Sequence, residues 1–511
     1  MRAAPRLRSA SRPALLAVDV RSALNLVGTL TKYLSLTTLL PAAVALGYGE
    51  PPWPFLGAGA IAGACGLILE RLTRGDNRLG AREGFLVVSL TWLAAAALGA
   101  LPYLLSGDPQ LDRPLDAYFE SMSGFSTTGA SIVTDVEALS QSLLMWRQFT
   151  QWLGGMGIIV LALAVLPRLR VGGRQLFESE SPGPDVDSLG TRVRDTARRL
   201  WLLYLGITVL EILALAILGW TGVDERMDLF RAVAHAFATL PTGGFSTEAR
   251  SVEAFGAATQ WTIAFFMFVA GTNFALTYRA LTRREPRVFG RDDEFKLYLA
   301  FIFASALILF GELATEGIFR GEEAIRHAIF QTLTIMTSTG FASADFNEWT
   351  TLTSMVLVGL MFIGGSAGST SGSVKVVRHL LLGKILRREV AQTVHPELVV
   401  PIRMNRLVVE ERTLRAVASF VLLYIGIFIV GASLLAADAA RTGLDLRPLD
   451  AVAAAATTLA NTGPALGVAG PMGSFEPFSD FSTAVVIVLM WVGRLELIPV
   501  LVLFTRRYWR T

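Results

Sequence analysis

"TTGAS", residues Thr127–Ser131, closes a semi-apolar stretch that begins near residue 114. Roughly 15 residues do not cross a bilayer, because a spanning helix takes about 20 mainly apolar residues. A stretch of this kind dips into the membrane and returns, which leaves its loop at membrane depth. Non-helical backbone survives there only when protein buries it or when it lines a water-filled path. Three further short stretches, 227–242, 324–339 and 448–462, carry the same signature in "PTGGF" (Pro241–Phe245), "STGFA" (Ser338–Ala342) and "NTGPA" (Asn461–Ala465). Thr–Gly alone is weak, since it recurs at Thr221–Gly222 and Thr442–Gly443. The surroundings strengthen it. "RPLDA" stands at 113–117 and again at 447–451, and both copies place Asp thirteen residues before the glycine (129−116 and 463−450).

The composition sets these stretches in a membrane. Of 511 residues, 52% are hydrophobic and 17% charged, against about 25% charge in a soluble domain; the mean hydropathy is +0.51. A net charge of +3 argues against a nucleic-acid partner. The single Cys65 allows no intrachain disulfide, and His235, His327, His379 and His395 never take an HExxH spacing. Ten segments are apolar enough to span: 25–48, 53–70, 84–105, 143–167, 198–220, 259–281, 295–315, 352–375, 411–436 and 481–505. With both termini inside, the cytoplasmic loops collect Arg71, Arg74, Arg78 and Arg82; Arg168, Arg170 and Arg174; Arg283, Arg284, Arg287 and Arg291; Lys384, Arg387 and Arg388; and Arg506, Arg507 and Arg510. That asymmetry fits the positive-inside rule. The first residues, with Arg2, Arg6, Arg8 and Arg12, read as a retained cytoplasmic arm rather than a cleaved signal, because Asp19 breaks the apolar run after them.

A second motif follows each loop: "WLGGMG" (152–157), "FVAGTN" (268–273), "FIGGSA" (362–367) and "WVGRLE" (491–496). Their third positions lie 25, 27, 24 and 30 residues beyond the loop glycines (154−129, 270−243, 364−340, 493−463). One unit therefore occurs four times in one orientation: membrane helix, short helix, Thr–Gly loop, glycine-bearing membrane helix. The fold class is an all-α polytopic membrane protein, with four pseudo-symmetric repeats around one pore plus two extra N-terminal helices. Its divisions are 1–82, 83–195, 196–291, 292–408 and 409–511. Short helices that aim their negative C-terminal ends inward favour a cation. Loop carbonyls can replace an ion's hydration shell, and glycine lets them turn by accepting positive φ. The pairs Thr128–Gly129, Thr242–Gly243, Thr339–Gly340 and Thr462–Gly463 are the candidate ion-binding residues.

"SMSGFSTTGAS", "PTGGFST", "TSTGF", "GGSAGSTSGSVKV" and "GRLE" together resemble the Trk/Ktr/HKT superfamily of potassium transporters, and the two extra N-terminal helices resemble its TrkH branch. The resemblance runs from about residue 25 to the end. It implies a K⁺ uptake subunit of the bacterial inner membrane, dimeric, gated by a cytosolic nucleotide-binding TrkA-type partner, with no cofactor beyond K⁺ as the transported ion. In that family a serine at the first filter glycine goes with Na⁺; Gly129 here implies K⁺. Pro464 departs from the other three loops.

"GGSAGSTSGSVK", Gly364–Lys375, breaks the third unit's second helix with four glycines and four serines. It reads as an intramembrane gate, as the resemblance also implies, with Gly364, Gly365, Ser366, Gly368 and Gly372 giving it freedom and Lys375 facing the inner mouth. The alternative is close packing of small residues. The fourth column of the second motif reads Gly155, Gly271, Gly365 and then Arg494. Arg494 is expected in the ion path, wet, bonded to the gate segment's carbonyls or hydroxyls. Glu211 is an intramembrane carboxylate and hence a functional candidate. Asp116 and Asp450 read as helix-start charges, Glu120 as a source of negative potential at the outer mouth, and His235 and His327 as packed. The charged 168–199 loop is a candidate docking surface for a regulator. No cluster of nucleophile or metal ligands points to an enzyme. The competing readings are an Na⁺- or H⁺-coupled K⁺ symporter and a secondary transporter of another small solute.

Overall fold

The structure, a computed structural model, describes residues 18–75, 80–164 and 187–510. Most of the N-terminal arm, Arg78 and the basic core of the proposed docking loop (Arg168, Arg170, Arg174) lie outside the described residues. The regular structure of the described residues is helical apart from one two-residue antiparallel ladder between β1 (Arg403–Met404) and β2 (Leu407–Val408).

Helices α1 (Val20–Leu34), α2 (Leu39–Tyr48) and α3 (Trp53–Leu72) come first. Four long helices follow at intervals: α4 (Ala81–Gly99), α8 (Asp187–Trp220), α13 (Asp293–Thr315) and α17 (Glu411–Thr442). Each precedes a short helix: α6 (Pro114–Phe125), α9 (Leu229–Thr239), α14 (Glu322–Met336) and α18 (Pro448–Ala460). The "RPLD" motif explains how two of these start. Proline fits the first helical position because the N–H it lacks would be unpaired there, and the Asp in the first turn suits the positive end of the helix. Asp450 accepts the backbone N–H of Arg447 at 3.2 Å. Asp228 does the same work for α9, accepting from Arg231 N at 2.7 Å.

Of the second helices, the first is continuous and the third is interrupted, as the sequence leads one to expect, whereas the second and fourth depart from the expected continuous spans. α7 (Gln141–Ala164) is unbroken. The second is split into α10 (Ala257–Ala270) and α11 (Phe274–Thr282), bent by 101°. The third stops as α15 (Thr351–Leu360) and resumes only at α16 (Val376–Val394). The fourth ends as α19 (Asp480–Arg494) before α20 (Ile498–Leu503). Six described helices are long and apolar enough to span, seven with the bent pair, against the ten segments expected. Hydropathy registers apolar length but not the breaks at Gly271–Asn273, 361–375 and 495–497, where side chains and neighbouring backbone replace the helical bonds.

The chain closes on itself. Trp491 Nε1 of α19 donates to Ser89 O of α4 at 3.3 Å, and Tyr508 Oη donates to Arg82 O at 2.8 Å. Glu50, between α2 and α3, caps α7 by accepting from Gln141 N at 2.8 Å and Ser142 N at 3.0 Å. The outward faces stay apolar: Phe303 on α13 is 71% exposed and Leu422 on α17 72%. Such side chains have lipid as their solvent, so the polar groups must find partners within the protein.

Candidate functional site

The short helices end alike. A non-glycine residue takes the left-handed conformation at Thr127 (φ 50°), Thr242 (φ 58°), Ser338 (φ 54°) and Asn461 (φ 55°). Its N–H and the next one turn back onto the helix: Thr128 N to Ser123 O at 2.9 Å, Gly243 N to Ala238 O at 2.8 Å, Thr339 N to Thr334 O at 2.8 Å and Thr462 N to Thr457 O at 2.9 Å. Two residues past each left-handed position, a glycine has positive φ: Gly129 (80°), Gly244 (79°), Gly340 (88°) and Gly463 (105°). This corrects the register of the second loop by one residue. Gly244 corresponds to Gly129, and Gly243 falls in the column held elsewhere by Thr128, Thr339 and Thr462. The Thr–Gly pair in "PTGGF" misled because a second glycine follows it.

These glycines close a ring. A Cβ on Gly129 would lie 2.1 Å from Gly243 O; on Gly244, 1.9 Å from Thr339 O; on Gly340, 1.9 Å from Thr462 O; on Gly463, 2.6 Å from Thr128 O. Each loop thus abuts the carbonyl of the next, and the fourth returns to the first. Conformation and space both demand glycine. All four line the floor of an open cavity walled by residues such as Thr134, Phe245, Met472 and Phe475. Pro464 does not break the pattern, since Gly463 keeps its place and its positive φ.

Nine residues before three of the four ring glycines, a side chain braces the loop from behind. Glu120 accepts from Ile132 N at 3.0 Å and Ser131 Oγ at 3.1 Å. His235 Nε2 is hydrogen-bonded to Ser246 Oγ at 3.0 Å. Gln331 reaches Ser343 Oγ at 3.4 Å, joined there by His327 Nδ1 at 2.8 Å. The fourth loop has Ala454 in this column. The histidines are packed, as their context suggested. Glu120 is not the open negative charge expected at the outer mouth: it is fully buried and pairs with Arg147 Nε at 2.7 Å. Removing either partner would leave an uncompensated buried charge, which costs about 3–5 kcal/mol.

Beneath the ring lies the 361–375 segment. Its limbs meet where Gly364 N donates to Val374 O at 2.7 Å and Val376 N to Gly365 O at 3.0 Å. Its tip touches the backs of three loops. Thr370 Oγ1 donates to Leu240 O at 2.9 Å, Gly372 N to Ser338 Oγ at 2.6 Å, and a Cβ on Gly372 would meet Ala460 O at 2.2 Å. Ser366 N donates to Gly271 O at 2.8 Å, at the bend between α10 and α11. Glu294, in the first turn of α13, holds both limbs with one oxygen, which accepts from Ala367 N at 2.5 Å and Val377 N at 3.2 Å.

Arg494 donates from its Nη1 to Thr370 O at 3.0 Å, at the tip of this segment. It is not wet but 2% exposed. Glu496 pairs with Arg378 of α16. Lys375 does not face an inner mouth: it folds back so that Nζ donates to the carbonyls of Ser369 and Ser371. Glu211 is fully buried on α8 beside Thr239 of α9. The sequence reading missed Gly244, Arg147 and Glu294. Arg147 left a signal, because it lies seven residues before Gly154 where the other second helices carry Ile263, Leu357 and Val486. Glu294 left none, being one of three acids in "RDDEF" at an apparent helix start. Among the described residues, no group of three or more His, Cys, Asp or Glu is placed to hold a metal ion.

Comparison with known proteins agrees with this geometry. A family model described as TrkH, cation transport protein, matches residues 57–510. The chain is 39% identical over 503 residues to the Trk system potassium uptake protein TrkH of Escherichia coli K12, covering 96% of this chain and 99% of that one. It is 36% identical to the protein of the same name from Vibrio parahaemolyticus, over 97% and 100% of the two. The crystal structure of the potassium transporter TrkH from Vibrio parahaemolyticus is similar with a TM-score of 0.86 at 34% identity, over 96% of this chain and 99% of that one. A ring of four glycine-bearing loops packed on the 361–375 segment, matched over nearly the whole length at these identities, makes this chain a member of the TrkH family of cation transport proteins.

Proposed function

We propose that the chain takes up K⁺ across the bacterial inner membrane, through a selectivity filter formed by Thr128–Gly129, Thr242–Gly243–Gly244, Thr339–Gly340 and Thr462–Gly463. The observation that carries this reading is the head-to-tail ring of glycines and carbonyls at the floor of an open cavity. Loop oxygens replace the hydration shell of the ion, and the short helices turn their negative ends toward it. The names of the similar proteins supply the ion.

The 361–375 loop is the gate. It contacts the ring from below through Gly372 and Thr370, and the Gly364, Gly365, Ser366, Gly368 and Gly372 backbone lets it withdraw. Lys375 closes the loop on itself, and Arg494 holds its tip. A TrkA-type cytosolic nucleotide-binding subunit drives the withdrawal, the protein works as a homodimer, and both termini face the cytoplasm. The repeat units run 83–195, 196–291, 292–408 and 409–511 after an N-terminal pair of helices. The purified chain, reconstituted in liposomes with its regulator, is expected to carry Rb⁺ and K⁺ down a gradient and to prefer both over Na⁺. Absence of cation flux with the regulator and nucleotide present would overturn the reading.

A further inference from the structure

The ring is uneven in one column, and the unevenness has a partner elsewhere. Three loops carry threonine before the ring glycine, and the second carries Gly243. In the first and third loops the threonine hydroxyl is tied within its own loop: Thr128 Oγ1 lies 2.7 Å from Ser126 Oγ, and Thr339 Oγ1 lies 2.8 Å from Thr337 Oγ1. With glycine in that column the second loop has neither a β-branched anchor nor a hydroxyl there, the hydroxyl of Thr242 one residue earlier donating to Pro241 O at 2.6 Å, and the two successive glycines give its backbone the largest conformational freedom.

The space where a Gly243 side chain would stand is filled by Gln151 of α7. A Cβ at 243 would lie 2.4 Å from Gln151 Cδ, 2.5 Å from Oε1 and 2.9 Å from Cβ. The Gln151 amide bonds the backbone on both sides of Gly244. Nε2 donates to Gly243 O at 2.7 Å, and Oε1 accepts from Phe245 N at 3.2 Å. One side chain thereby pins the carbonyl and the amide that flank the ring glycine, as a neighbouring strand would. The corresponding positions of the other second helices, three residues before Ala270, Gly364 and Gly493, are Met267, Met361 and Met490, which offer no such pair. Gln151 is fully buried, so an idle amide there would be costly and its two bonds fix its orientation. One turn earlier on α7, Arg147 lies over the Phe245 ring at 4.2 Å and reaches Ser246 O at 3.4 Å.

We infer that Gln151 is a specificity-determining positioning residue: it supplies to the second loop the rigidity that a bonded threonine gives the first and third, and it fixes where the Gly243 carbonyl stands in the ring. The inference rests on the filter reading above. The test is a double-mutant cycle on the full-length protein in liposomes, with K⁺ to Na⁺ permeability ratio and Rb⁺ flux read separately. Gln151→Met keeps the volume and removes both bonds. It should lower the K⁺/Na⁺ ratio roughly three- to tenfold while Rb⁺ flux persists, the scale of one or two buried hydrogen bonds. Gly243→Ala should lower it in the same direction by displacing the amide. The double variant should be no worse than the poorer single one, because both act through one contact. An unchanged ratio in Gln151→Met, or additive losses in the double variant, overturns the inference. Should Gln151→Met not fold, Gln151→Glu serves: it keeps the acceptor for Phe245 N but turns an oxygen on Gly243 O, and an unchanged ratio there is equally fatal. A wild-type protein that carries cations without discrimination would instead remove the filter reading itself.

Discussion

The ring loops and the plug at 361–375 are both glycine-rich and both non-helical at membrane depth, yet they are not held in the same way. In the ring, glycine is obligatory, with positive φ and a neighbouring carbonyl where a Cβ would go. The contacts are backbone against backbone, and the braces behind them are buried. In the plug only Gly368 among the glycines has positive φ (75°). Gly364, Gly365 and Gly372 also oppose carbonyls, with an added Cβ 2.3, 2.7 and 2.2 Å away, but the segment is in addition latched by side chains from other elements: Glu294, Ser338 and Arg494. Steric packing is bistable rather than softly deformable, whereas hydrogen-bonded latches exchange one by one. Glycine serves close approach in both regions; what sets them apart is the positive φ of every ring glycine and the side-chain latches on the plug. That contrast is what the proposed roles require: a filter has to be rigid, and a gate has to let go.

The sharpest way to break this comparison is to put a side chain into the ring. Gly340→Ala meets Thr462 O and a φ of 88° together, so roughly a hundredfold loss of K⁺/Na⁺ discrimination or of folded protein is expected, from strain of about 2–3 kcal/mol or more. Gly129→Ser faces the same obstruction at Gly243 O, and its permeability ratio should shift toward Na⁺. An unchanged ratio in folded Gly129→Ser would remove the steric account of the ring.

The plug should respond in flux rather than selectivity. Glu294→Ala frees both limbs and is expected to raise regulator-free Rb⁺ flux by about five- to a hundredfold, at roughly 1–3 kcal/mol for the two hydrogen bonds lost. Glu294→Gln keeps the accepting oxygen and should stay near wild type. If both variants behave alike, the latch is electrostatic and not a hydrogen-bonded one. Arg494→Ala loses one bond to Thr370 O, so a smaller rise is expected, about three- to tenfold, with the permeability ratio unmoved. A shifted ratio would mean that Arg494 belongs to the filter's support. Smallest is Ser371→Ala, which removes the bond from Gly365 N, 2.9 Å in length, and the contact with Ser338. It should change flux by about twofold at most in the same assay.

Much of the architecture was legible because its signals are local. Hydropathy marked the long helices, and stretches too short to span marked the re-entrant ones. Proline at the first helical turn and acids beside it marked where two short helices begin. The break at 364–375 was legible as well, since so many glycines and serines rarely propagate a helix. The bend at Gly271–Asn273 was not. Asn273 caps α11 by accepting from Ala275 N at 2.9 Å, and its bend is secured by Ser366 N on Gly271 O, from a segment almost a hundred residues away.

The site divides in the same way. Sequence by itself determined the unit and its fourfold recurrence, because residue type and spacing are properties of the chain. It also determined that Arg494 falls in a column otherwise held by glycine. Only the tertiary structure decided the register of the second loop, since Gly243 and Gly244 are interchangeable on paper and only φ and the neighbouring carbonyls tell them apart. It decided too which polar side chains are partners. Glu120 belongs to Arg147, Glu496 to Arg378, and Gln151 to a loop some ninety residues ahead. Membrane burial requires every polar group to find an acceptor or donor in the protein, but the chain does not state which one. That choice is made by the helices that packing brings within 3 Å of each other.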